Sequence, residues 1–265
     1  EDHSAESGGV QVEAHGSIIL AARSRREARL ESPLGWQAVH MTTDLRVRVH
    51  QWSSDLDPAV NRARLADGIQ PGADLVVFPE AFARDFGPAG SDLGAFAEST
   101  EGPFGSEVTR LAREADTTVV AGMFEETDDE RPFNTLIVRG AAEGAYRKIH
   151  LYDSFGYRES DRLTGGPPEP AVFDVAGWRI GLMTCYDLRF PELARALVDA
   201  GAEVLVVPAA WLPGERKVDH WRTLLTARAI ENTTYVLGAA QPEPRYCGHS
   251  MVVGPLGDLV TGAGS

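Results

Sequence analysis

One feature constrains this chain more than any other: from Leu45 onward, short apolar runs of strand length alternate with amphipathic runs of helix length, joined by short connections. In "MTTDLRVRVHQ" the apolar Leu45, Val47 and Val49 alternate with Arg46, Arg48 and His50, as in a strand with one buried face. "DPAVNRARLADGIQ" is helix-like with Pro58 near its first turn, "ADLVVFPE" is a short apolar strand, and "GSEVTRLAREAD" is an amphipathic helix. "TTVVAGMFEE", "FNTLIVRG" and "GAYRKIHLYD" then read as successive strands with no helix between them. Further on come the helix "PELARALVDAG", the strand "AEVLVVPAAW", the long helix "KVDHWRTLLTARAIEN", the strand "TTYVLGAAQ" and the hairpin-like "GHSMVVGPLGDLV". Alternation of this kind predicts an α/β sandwich in one domain, and strands adjacent without a helix make its sheets mixed rather than all parallel.

The first forty residues differ. They hold no sustained period, and the strand-like "SIILAA" is followed by a run of mixed charge. The expectation is a disordered or non-native extension over residues 1–40, a natural start at Met41, and a folded domain over 41–265 that stops before its last strand. A hydrophobic content of 43% is ample for a core in a chain of 265 residues. With 39 acidic against 25 basic residues the net charge is −14, and no basic cluster overrides it, which argues against nucleic acid and anionic lipid as partners. The longest apolar stretches, such as "AEVLVVPAAWL", are about half the roughly 20 residues of a membrane span. Two sparse cysteines, Cys185 and Cys247, and no secretory leader point to free thiols and a cytoplasmic setting.

Three apolar strands run straight into an ionisable residue: "LVVFPEAF" into Glu80, "YRKIHLYD" into Lys148 and "IGLMTCYD" into Cys185. The carboxyl ends of strands line the ligand crevice of open α/β sheets, so a carboxylate, an ammonium and a thiol could meet there. Such a set can attack an amide: the thiolate as nucleophile, the carboxylate as proton carrier, the lysine as oxyanion partner. The seven histidines are too scattered for a zinc pattern, so no metal and no cofactor is expected. A lone cysteine is more often a small buried hydrophobe, and it is the company of the other two segments that turns the reading toward catalysis.

Together "VVFPEAF", "YRKIHLYD" and "GLMTCYDLRFPEL" resemble the nitrilase superfamily of carbon-nitrogen hydrolases, from about Leu45 to the end of the chain. The resemblance implies a four-layer α-β-β-α sandwich, formed as two copies stack helices across a two-fold axis, and hence a homodimer or higher homo-oligomer. It implies Glu80 as general base, Lys148 as oxyanion stabiliser and Cys185 as an accessible, low-pKa nucleophile. It places Glu159 of "DSFGYRESD" beside the lysine, and the backbone N–H of Tyr186 in the oxyanion hole. The reaction implied is hydrolysis of a small-molecule amide to a carboxylic acid and ammonia through a cysteine thioester.

Downstream segments look most like the branch of deaminated glutathione amidase and omega-amidase, which act on small carboxylate-bearing molecules. An N-carbamoyl hydrolase, a nitrilase or an acyltransferase of the same superfamily, and a non-catalytic scaffold, are the alternatives. Asn134 in "PFNTL" is placed like a pocket-edge residue, although a turn asparagine fits nearly as well. Arg189 is read as meeting a substrate carboxylate or as pairing with Glu192 near the helix that Pro191 opens. Trp211, in "AAWLPGERKVDHW", and the segment "FARDFGPAGSDLG" are expected to wall the pocket. Glu125 and Glu126 read as a solvated strand end, His50 and His150 as strand residues, and Cys247 as incidental.

Overall fold

The computed structural model describes the backbone of residues 10–13, 17–32 and 35–265, and the side chains from Asp44 onward. Of the expected extension over residues 1–40, residues 1–9, 14–16 and 33–34 fall outside these described residues, and the rest is described as strand backbone. In the first sheet, strands follow one another in chain order: β1 (Val10–Glu13), β2 (Ser17–Ser32), β3 (Gly35–His50), β4 (Leu75–Val77), β5 (Thr118–Glu125), β6 (Phe133–Arg139) and β7 (Gly144–Arg147). Strands β3, β4 and β5 are parallel, with α1 (Pro58–Gly68) and α2 (Pro103–Ala115) as their crossovers, and the remaining pairs are antiparallel. Asp57 caps α1 by accepting from the Ala59 N–H at 2.9 Å, and Pro58 sits where a helix needs no donor.

A short hairpin, β8 (Asp153–Ser154) with β9 (Tyr157–Arg158), separates the two sheets along the chain. The second sheet is β10 (Val172–Val175), β11 (Trp178–Leu182), β12 (Val204–Ala209), β13 (Tyr235–Ala240), β14 (Met251–Val253) and β15 (Leu259–Gly262). Here β11, β12 and β13 are parallel, joined through α3 (Pro191–Asp199) and α4 (Lys217–Asn232). The mixed sheets are those the sequence predicts.

Why β4 is an unbroken apolar run becomes clear from its two faces. Leu75 and Val77 join the core shared with the second sheet, alongside Val47, Val120 and Leu136 from the first sheet and Ile180, Leu182 and Val206 from the second. Val76 and the following Phe78 face the other way, into the packing of Leu65, Phe104, Val108 and Ala112 from α1 and α2. A strand covered on both sides has no reason to alternate. On the far side Leu193, Leu197, Trp221, Leu225 and Ala229 bring α3 and α4 onto the second sheet. All four layers of the α-β-β-α sandwich therefore lie within one chain. The expectation that two copies are needed to form them is corrected, because each sheet already has its own helices and its own partner sheet.

Candidate active site

The carboxyl ends of the parallel strands open on the same side, and three chain segments deliver the expected groups there. Beyond β4 the chain keeps beside β5, with the Phe78 N–H donating to the Val120 carbonyl and the Ala83 N–H to the Gly122 carbonyl, both at 2.9 Å. Gly122 has to be glycine, because a Cβ there would stand 2.5 Å from the Ala81 nitrogen and 2.9 Å from the Glu80 Cα. This close approach fixes Glu80. Its neighbour Ala81 is held at φ +54°, and Cys185 at φ +48°, a left-handed conformation that side-chain-bearing residues rarely adopt.

Glu80, Lys148 and Glu159 form a buried ion cluster, with side chains only 1%, 2% and 2% exposed. The Lys148 ammonium donates to Glu80 Oε1 at 3.0 Å and to Glu159 Oε1 and Oε2 at 3.0 and 2.9 Å. Each carboxylate has further donors. Glu80 accepts from Asn134 Nδ2 at 2.7 Å and from the Ala210 N–H at 2.7 Å, while Glu159 accepts from the Tyr152 N–H at 2.6 Å. Gln241 Nε2 holds the Glu80 backbone carbonyl at 2.9 Å. Satisfied in this way, buried charges can be kept in place.

Two carboxylates share one ammonium, and this imbalance sets the protonation pattern. Burial works against the Lys148 charge, but Glu159 and Glu80 outweigh it and hold the ammonium well above the ordinary lysine range. Burial likewise pushes the Glu159 carboxyl up, against the pull of Lys148. Burial and the nearby Glu80 push the Cys185 thiol well above its ordinary 9.0, against the pull of Lys148. This direction is opposite to the low-pKa thiol expected.

Cys185 opens a 3₁₀ turn, Cys185–Arg189, between β11 and α3. The turn is tied back by the Asp187 carboxylate, which accepts from the Thr184 N–H at 2.9 Å. The same buried Asp187 accepts from Tyr146 Oη at 2.6 Å and from the His150 backbone N–H and Nδ1 at 3.0 and 2.8 Å. One side chain thus joins the cysteine turn to both flanks of Lys148. A cavity of about 290 Å³ opens over Glu80, Lys148, Glu159 and Cys185. Its walls come from Phe86 to Ala89, from Tyr152 and Tyr157 in and beside the β8–β9 hairpin, and from Tyr186, Arg189, Trp211 and Lys217.

A profile of the carbon-nitrogen hydrolase family matches residues 46–265. The chain belongs to the carbon-nitrogen hydrolase family. It is 39% identical over 244 residues to a Mycobacterium tuberculosis protein named only as a hydrolase, covering 83% of this chain and 86% of that one. To the deaminated glutathione amidase of Escherichia coli O157:H7 it is 37% identical over 205 residues, 75% of this chain and 77% of the other. A solved variant of the Nesterenkonia AN1 amidase, from the nitrilase superfamily, superposes with a TM-score of 0.73 at 26% identity, covering 84% of this chain and 87% of that one. This chain is a hydrolase of carbon–nitrogen bonds.

In this hydrolase the expected residues are distributed unevenly about the cavity. Glu80, Lys148, Glu159 and Cys185 meet at its floor, and Tyr186, Arg189 and Trp211 line it. Asn134 stands behind the floor, its amide bridging Glu80 and, at 3.4 Å, Glu159. Arg189 lines the cavity near His220, whose Nδ1 is 3.4 Å from Nη2.

Two local readings change. Glu125 is no solvated strand end: it is buried, accepts from Thr135 Oγ1 at 2.8 Å and pairs with Arg147 on β7 at 2.5 Å, whereas Glu126 is exposed. His150 lies beyond the end of β7, stacked on Phe190 at 3.7 Å and bonded to Asp187. Asp187 and Lys217 escaped sequence reasoning. Asp187 directly follows Cys185 and Tyr186 in "TCYDLRF" but nothing local marks it, while Lys217 lies in the very segment expected to wall the pocket.

Proposed function

We propose that this hydrolase cleaves a small-molecule amide through a thioester on Cys185, releasing ammonia and then a carboxylic acid. The observation that carries the reading is that Cys185 lines one cavity with Glu80 and Lys148, which are paired to each other at 3.0 Å. Glu80 takes the thiol proton as Sγ bonds to the amide carbon, so a thiol held well above its usual range need not ionise beforehand. Lys148 and the Tyr186 N–H receive the oxyanion. Glu80 then passes the proton to the departing nitrogen as the C–N bond breaks.

In the second half Glu80 removes a proton from water, the hydroxide adds to the thioester, and the C–S bond breaks with the proton returned to Sγ. Glu159 holds the Lys148 ammonium from behind, where Asn134 and the Tyr152 N–H hold Glu159 in turn. The cavity of about 290 Å³ suits a substrate of metabolite size, and the relatives named as amidases support an amide over a nitrile.

Ammonia release across short ω-amides, deaminated glutathione, N-carbamoyl amino acids and nitriles tests the reading on wild type and Cys185→Ala. An amide is expected as the best substrate, with acyl-enzyme formation lost in the alanine variant. Equal rates for the two proteins would refute the mechanism.

A further inference from the structure

The two carboxylates on the cavity floor differ in how their oxygens are used. Both oxygens of Glu159 accept from Lys148, at 3.0 and 2.9 Å; Oε1 also meets Asn134 Nδ2 at 3.4 Å, and Oε2 the Tyr152 N–H at 2.6 Å. Glu80 is filled on one side only. Its Oε1 accepts from the Lys148 ammonium at 3.0 Å and from Asn134 Nδ2 at 2.7 Å, whereas Oε2 accepts from the Ala210 N–H alone among the described residues. A carboxylate oxygen has two acceptor sites, so the open site of this buried pair lies on Glu80 Oε2.

Asn134 produces the asymmetry. It stands on β6, 1% exposed, and reaches every member of the ion cluster: its carbonyl accepts from the Lys148 backbone N–H at 2.8 Å, and its amide donates to Glu80 and Glu159. The amide can face only one way, since turning it over would set Oδ1 against two carboxylates. That orientation leaves the buried Oδ1 with no hydrogen-bond partner, a cost that an apolar side chain of the same shape would not carry. Phe124, opposite Asn134 on β5, carries no charge. The titratable groups facing the Asn134–Glu80 contact are therefore Lys148, Glu159, Cys185 and, beside Lys148 and Glu159, Tyr157.

We propose that Asn134 is a positioning residue: with Lys148 it occupies Glu80 Oε1, so that the proton of the Cys185 thiol passes to Oε2. The assignment rests on the reading of Glu80 as proton carrier and names the atom that carries. As Sγ bonds to the carbon under attack, the S–H bond breaks and the proton joins Oε2, which later releases it to the departing nitrogen. Without Asn134, Oε1 gains an open site of its own, and the carboxylate divides between two arrangements of which one is productive.

Alkylation of Cys185 by iodoacetamide, followed by mass spectrometry, tests this with no amide hydrolysed: Sγ displaces iodide while its proton goes to Glu80. Asn134→Leu keeps the bulk and removes both donors, and should slow alkylation about tenfold or more against wild type throughout about pH 6 to 9. Asn134→Asp sets a third carboxylate beside one ammonium. While it holds a proton, its O–H donates to Oε1 in place of the amide; once the proton is lost, it repels Oε1. Its rate should therefore approach that of wild type at the acid end and fall about tenfold below it toward the alkaline end, with an unchanged circular dichroism spectrum. A merely structural asparagine would give both variants the same ratio to wild type at every pH. That result, or a wild-type rate in Asn134→Leu, overturns the proposal. So does a fall in Asn134→Asp that tracks loss of the circular dichroism signal, or a wild type whose Cys185 is not alkylated. If Asn134→Leu does not fold, the pH dependence of Asn134→Asp decides alone. Ammonia release by wild type and Cys185→Ala judges the amidase reading separately, so the two can fail independently.

Discussion

The floor and the outer wall of the cavity hold charge in opposite ways. On the floor, Glu80, Lys148 and Glu159 are nearly inaccessible and answer one another within 3.0 Å, with Asn134, Ala210 and Tyr152 supplying the remaining donors. On the wall, Lys217 and Arg189 sit against aromatic rings, with no carboxylate partner among the described residues. A buried cluster that is internally satisfied can be rigid before any ligand arrives, which suits groups that must act on reacting atoms. A wall with unspent donors is incomplete until a ligand completes it, which suits selection.

That separation predicts different costs. Lys148→Met leaves two carboxylates facing each other without a cation, so ammonia release should fall by at least about a hundredfold. Stability should fall by about 3–5 kcal/mol at neutral pH, read from denaturant melts. Lys217→Met should leave the melt unchanged. If both variants lose stability alike, the wall is structural and the contrast disappears.

Asp187→Asn should have an intermediate effect. The asparagine keeps the shape but cannot accept all of the bonds from Tyr146, His150 and Thr184, so a loss of about 1–3 kcal/mol is expected. Because Asp187 holds the cysteine turn and the Lys148 segment in one geometry, kcat should drop with little change in KM. A rise in KM alone would place Asp187 with the wall instead.

The smallest effect is an alkaline one. Burial pushes Cys185 and Tyr146 well above their ordinary ranges and Cys247 up to about 12 from 9.0. Each holds its proton more tightly folded than unfolded. The stabilisation is therefore complete below the ordinary thiol value and is lost as pH rises through the folded values. Cys247 by itself should account for about 1 kcal/mol by roughly pH 10, measured as a falling urea midpoint. Lys217→Met should follow the same alkaline curve as wild type, since none of these three groups lies on the outer wall.

Much of this molecule can be read along the chain because it is local. The helix expected over "KVDHWRTLLTARAIEN" is α4, residue for residue, and its Trp221 and Leu225 are fully buried. The strands carrying Glu80 and Cys185 were legible for the same reason: β-branched and apolar runs bounded by Pro, Gly and charge carry their own signal. Glu125 shows where this fails. Its partners Thr135 and Arg147 are 10 and 22 residues away, and from the sequence alone a glutamate at a strand end is indistinguishable from a solvated one.

The sequence by itself determined the α/β alternation, the mixed sheets and the identity of the groups at the cavity floor, because these follow from periodicity and from motifs that stay together in the chain. Only the tertiary structure decided how those groups are charged and what surrounds them. It enclosed all four layers in one chain, raised the Cys185 thiol rather than lowering it, set Asn134 behind two carboxylates, and left Lys217 without a carboxylate partner among the described residues. Each of these depends on burial and on partners far away in sequence, as with Glu80 and Lys148, 68 residues apart. Desolvation and charge pairing act through space, and no local pattern encodes them.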